Sequence, residues 1–153
     1  MRMSYDDLLK ARIIEPVSIS NEGIADLLRV SRRDIKTAIR LKDYDLDWAF
    51  AIAYNSILQL TNAWMNHLGF RPREEAKHVN TFKFLEETLP KERKPIVERL
   101  QRMRKKRNTT IYKKKGIITE KEALMVINFA NQYYKEVEDI LPDKIVKLSK
   151  KED

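Results

Sequence analysis

Residues 48–69, WAFAIAYNSILQLTNAWMNHLG, decide how the chain folds. Apolar side chains occupy most of the circumference of a helix drawn through this stretch, so the segment is expected to lie at the centre of a domain rather than on its surface. Gly69 stands where a helix C-cap belongs, and Arg71-Pro72 opens the next segment. The longest purely apolar run, Trp48 to Tyr54, is far shorter than the ~20 residues a membrane span needs. Asn55, Gln59, Asn62 and Asn66 draw an amide stripe along the same helix. The stripe reads either as a solvent-facing edge or, at Asn55 and Asn62, as the lining of a polar groove.

The flanking sequence repeats the helical period. Ile24, Leu28, Ser31, Ile35 and Ala38 recur at spacings of four and three, one face of a single helix ending near Leu41. Residues 3–14 form a short helical candidate, and Pro16 with Ser18, Ser20 and Asn21 reads as a break followed by a cap. Val79, Phe82, Phe84 and Leu85 mark a fourth helix over residues 73–89, stopped at Leu89-Pro90 because the residue before proline disfavours helical backbone. A fifth helix starts near Lys91, with Ile96, Leu100, Met103 and then Arg107 on one stripe. Thr119 and Glu122 make a capping box for a final long helix whose inner face is Ala123, Ile127, Ala130, Tyr134, Val137 and Leu141. Pro142 ends it, and residues 142–153 read as a helical turn with a charged tail. No strand-like alternation is visible. The chain therefore reads as one all-α domain over residues 1–153, an antiparallel bundle of five to six helices with its core between about 20 and 141.

Composition narrows the function. The chain has 153 residues, 42% hydrophobic and 35% charged, a globular balance. Its three glycines are too few for a phosphate-cradling loop, which removes P-loop and dinucleotide-binding classes. With no cysteine and only His67 and His78, no thiolate, zinc-thiolate or metal-cluster chemistry is expected, and no cofactor. Both histidines read as capping or surface groups. The acidic, mixed start MRMSYDDLLK lacks a secretory pattern, so a cytoplasmic protein without membrane contact is expected.

The net charge of +8 points to an anionic partner. About a third of the 31 Lys and Arg fall between Arg93 and Lys115. Within that region, RMRKKRNTTIYKKKG (residues 102–116) puts eight cations in fifteen positions. Arg102, Arg104, Lys105 and Lys106, with Lys113, Lys114 and Lys115 beyond, read as an outward cationic surface for nucleic acid. Arg107 instead continues the apolar stripe, and a buried guanidinium costs several kcal/mol unless it is paired or lies at a groove wall. An arginine so placed needs a partner, a ligand or access to water.

Two resemblances follow. NEGIADLLRVSRRDIKTAIR, residues 21–40, is similar to a repressor helix-turn-helix, with Ser31 as a cap, although Arg29 stands where the turn usually has glycine. More of the chain resembles the HEPN superfamily, the higher eukaryote and prokaryote nucleotide-binding domain. DWAFAIAYNSILQLTNAWMNHLGFRP, KHVNTF, RMRKKRNTTIY and TEKEALMVINFANQYYKEVEDIL follow its order of parts over roughly residues 20–141.

That resemblance implies a small helical bundle of toxin-antitoxin or defence systems. In active members an Arg and a His, separated by a short spacer that opens on a polar residue, make a metal-independent ribonuclease. Arg107 takes the arginine position and Asn108 the polar one, and Tyr112 stands in place of the histidine in an Arg-x(4)-Tyr variant. A phenol with an ordinary pKa near ~10 is a poor base at neutral pH, and loss of one acid-base group removes about 10²–10⁴ of rate. The resemblance thus implies binding of RNA or a nucleotide with slow or lost cleavage. It also implies a homodimer, and either a minimal nucleotidyltransferase antitoxin or a purely non-enzymatic role as that enzyme's helical partner. Phe82, Phe84, Tyr133 and Tyr134 read as core or as part of the dimer surface, and Tyr112 as a platform for an unpaired base.

Overall fold

The computed structural model describes the backbone of residues 3–110 and 118–151 and the side chains of residues 3–105 and 118–151. In chain order the elements are α1 (Tyr5–Lys10), β1 (Ile14–Pro16), α2 (Asn21–Leu41), α3 (Leu46–Leu68), β2 (Phe70–Pro72), α4 (Lys77–Thr88), α5 (Lys94–Thr110), α6 (Glu120–Ile140) and α7 (Asp143–Lys150). Single 3-10 turns, Glu74–Ala76 and Lys91–Arg93, precede α4 and α5.

α3 occupies the centre, as its sequence requires, with α2 and α6 packed along it and α7 closing the far side of α2. The whole expected stripe of α2 is buried. Its one hydroxyl, Ser31, donates to the Ser56 carbonyl of α3 at 3.3 Å, so the small polar residue permits close approach and is satisfied. The side chains of Ser20, Asp45 and Thr119 cap α2, α3 and α6, and the Thr119–Glu122 box is formed in both directions. Gly69 closes α3 with φ of 93°, backbone that a side chain makes unfavourable. Leu89 is extended before Pro90, as the proline demands.

Three details depart from the sequence reading. The described residues contain seven α-helices rather than five or six, because α1 and α7 are complete short helices. Residues 14–16 pair antiparallel with 70–72 in a two-stranded ribbon, which strand lengths of three residues left invisible to any periodicity. This ribbon folds α1 back so that Leu8, Ile13 and Ile14 bury against Met65 and Phe84 in a second small core. The inner face of α6 carries Tyr133 rather than Tyr134: Tyr133 is buried and Tyr134 half-buried.

α2 is continuous through Arg29, so the helix-turn-helix alternative for residues 21–40 is corrected. Its cations are structural as well. Arg29 pairs with Asp26 and Glu22 and donates to the Leu148 carbonyl, and Arg32 donates to Tyr134 Oη at 3.1 Å and the Ser149 carbonyl at 2.6 Å. They clamp α7. Among the described residues no helix is long and apolar enough to cross a membrane.

Candidate nucleic-acid interface

α5 begins with Lys94-Pro95, a proline in the first turn where its missing N–H leaves no bond broken. Just before it, Arg93 pairs with Glu136 of α6 and lies 5.5 Å over the Phe129 ring, which ties the start of α5 to the core. From there Val97, Leu100 and Met103 are buried, whereas Ile96 is half-buried. The stripe therefore begins at Val97 in place of Ile96, keeps Leu100 and Met103, and takes in Arg104.

That shift moves an arginine. Arg104, read from sequence as an outward cation, turns inward and lines a cleft of about 240 Å³ with Phe50, Tyr54, Asn55 and Leu58 of α3 and His78 of α4. Its Nε is buried with no hydrogen-bond partner among the described residues. None of the ion pairs among the described residues includes it. Tyr54 is 7% exposed and stacked on Phe82 with centroids 5.1 Å apart, and its hydroxyl is also buried without a partner. Burial pushes the Tyr54 phenol well above its ordinary value, with Arg104 opposing, so at neutral pH it is a donor. The His78 imidazole is held below its usual value first by partial burial, then by Lys77 and Arg104. Asn55 donates to Asp34 at 2.9 Å, and Asp34 lies 3.6 Å from Arg33.

The other expected site residues separate. Asn62 lines a different cleft with Gln59, Asn66, Arg71 and Lys77, so the amide stripe serves two grooves and not one. Arg102 is exposed beside Arg99 and Glu122, and Lys105 is exposed. Arg107 and Asn108 belong to the helical backbone of α5, with Arg107 seven residues beyond Leu100 and three beyond Arg104. The side chains of Lys106, Arg107 and Asn108, and all of Tyr112, Lys113, Lys114 and Lys115, lie outside the described residues. At the far end of that stretch Ile118 is buried and its N–H donates to Asp47 at 3.1 Å. The chain thus returns to the first turn of α3, where Trp48 is 56% exposed and Tyr44 stands just before it at 87%. Phe82, Phe84 and Tyr133 are fully buried, so they are core and supply no dimer surface.

Sequence reasoning missed Tyr54, His78 and the inward turn of Arg104. The available signal was the alternative stripe starting at Val97, which reaches 100 and 104 with the same three-and-four spacing as the one from Ile96. Among the described residues no three His, Asp or Glu side chains are grouped to hold a metal ion. A family model described as "HEPN domain" matches residues 24–140. No curated protein and no solved structure matches the chain.

Proposed function

The chain belongs to the HEPN family, and on that premise we propose that it binds RNA or a nucleotide along the C-terminal half of α5, with Arg107, Asn108 and Tyr112 at the reactive position. One observation carries this reading. α5 is unbroken to Thr110, and Arg104, three residues before Arg107, already faces a cleft and not bulk solvent. In this reading the Arg107 guanidinium, one helical turn further along, stabilises charge developing on a phosphate. Arg102, Lys105 and Lys106 flank it, followed by Lys113, Lys114 and Lys115. Ile118, whose N–H donates to Asp47, lies at a turn with two exposed aromatic residues, Tyr44 and Trp48. Cations and aromatic faces together suit unpaired bases.

With Tyr112 in the histidine position, cleavage is slow or lost and binding is the main activity. A toxin-antitoxin setting, a homodimer that joins two motifs and a minimal nucleotidyltransferase partner are proposed from the family alone. Sedimentation of the purified chain and co-purification with its neighbouring gene product test the last two.

The decisive test compares wild type with Arg107→Ala on structured and single-stranded RNA at several salt concentrations. Affinity is expected to fall at least tenfold in the variant, and wild-type binding to weaken steeply with salt as counterions are released. Equal affinity of the two proteins at low salt removes Arg107 from the site.

A further inference from the structure

The cleft between α3, α4 and α5 is one turn away from Arg107, and its chemistry is one-sided. Arg104 Nε–H and Tyr54 O–H are two buried donors, neither with an acceptor among the described residues. A buried donor left unmet destabilises a fold, so two in one wall call for an explanation. The carboxylate that reaches this wall through Asn55, Asp34, is held by Asn55 and sits beside Arg33, so it does not neutralise Arg104. His78, near the start of α4, also lines the cleft and adds a further ring nitrogen to it.

We propose that this cleft is a phosphate-recognition site, in which the Arg104 guanidinium and the Tyr54 hydroxyl, with His78 at the rim, take the oxygens of a phosphate group carried by the bound RNA or nucleotide. What both unmet donors lack is an acceptor, and a phosphate offers several oxygens to one guanidinium in the geometry arginine favours. Phe50 and Leu58 give the cleft an apolar side, which makes the surroundings of the contact less polar than bulk water. Partial burial first, then Lys77 and Arg104, oppose a proton on the His78 ring; an anion held beside it would draw a proton onto it. The inference rests on the RNA-binding reading for its biological source and not for its chemistry.

Two histidines make the test clean, because His67, exposed near the end of α3, serves as an internal control. Imidazole NMR signals of the full-length protein are followed while inorganic phosphate is added at constant ionic strength, with chloride as the reference salt. Oligouridylates of equal length bearing a 5′-phosphate or a 5′-hydroxyl follow. Saturable movement of the His78 signals, a rise in its apparent pKa and a still His67 are expected. Arg104→Met, which keeps the helix stripe and the side-chain length, should abolish the response, and Tyr54→Phe should weaken phosphate binding by about tenfold. A stronger response to the 5′-phosphorylated strand assigns the site to a terminal monoester; equal responses assign it to an internal diester; a response to inorganic phosphate alone assigns it to a free anion. No saturable movement of His78, or the same movement in Arg104→Met, overturns the proposal. RNA that binds wild type and both variants equally, with His78 unmoved, ends the phosphate site and leaves the RNA reading standing. Phosphate that moves His78 in a protein that binds no RNA does the reverse.

Discussion

Replacing Tyr54 by Phe and Tyr133 by Phe removes the same hydroxyl from two nearly equally buried rings, and the structure requires opposite signs. Tyr133 is 1% exposed and its hydroxyl is 2.8 Å from Thr61 Oγ1. Thr61 has already given its proton to the Ile57 carbonyl at 2.8 Å, so Tyr133 is the donor. Its loss removes one fully buried hydrogen bond, worth about 1 kcal/mol net. Tyr54 is 7% exposed and its hydroxyl has no partner among the described residues. There Phe relieves a desolvated polar group while keeping the stack on Phe82, and the variant should gain up to about 1 kcal/mol. The two proteins should therefore differ by about 2 kcal/mol, or roughly 4–8 °C in Tm for a domain of this size. Urea and thermal unfolding in phosphate-free buffer measure the difference. Adding phosphate should erode the advantage of Tyr54→Phe, because the ligand stabilises only a protein that binds it. If Tyr54→Phe loses as much stability as Tyr133→Phe, the Tyr54 hydroxyl has an acceptor and the account of the cleft as a set of unmet donors fails.

Three further outcomes are expected. Burial raises the phenol pKa of both Tyr54 and Tyr133, so each contributes stability that is complete below the unfolded value near ~10 and is lost as pH climbs above it; each adds a slope of about 1.4 kcal/mol per pH unit to alkaline unfolding, and each Phe variant should remove one such slope. Arg32→Ala breaks its bonds to Tyr134 Oη and the Ser149 carbonyl, so hydrogen exchange should accelerate in α7 while RNA affinity is retained; a loss of nucleic-acid binding with α7 intact would restore a direct role for that helix. Thr119→Ala opens the capping box of α6 and should lower stability by about 1 kcal/mol in chemical denaturation, with Glu122→Ala costing less because the Thr119 cap on the Glu122 N–H survives.

How much of the molecule can be read from its sequence depends on how much chain each feature spans. α2, α3 and α6 exceed twenty residues each, long enough for the three-and-four spacing to average over irregular positions, and their caps at Ser20, Asp45 and Thr119 are local signals. The bundle, its central helix and the buried stripe of α2 follow from these alone. Arg107, Asn108 and Tyr112 are proposed from sequence, through their place in a family motif. The ribbon between residues 14–16 and 70–72 is different, because its three-residue strands are specified by partners more than fifty positions apart. So is α5, where apolar residues are sparse and two registers fit equally well. Packing of Val97 against the core, with the Arg93–Glu136 pair at its base, selects one of them. That choice rotates Arg104 off the surface and sets it beside Tyr54 and His78, residues 50 and 26 positions away that no spacing rule connects. The helices are thus properties of the chain read locally, since period and capping act within a few turns. The cleft is a property of tertiary structure, since it exists only where three helices meet and leave donors without acceptors.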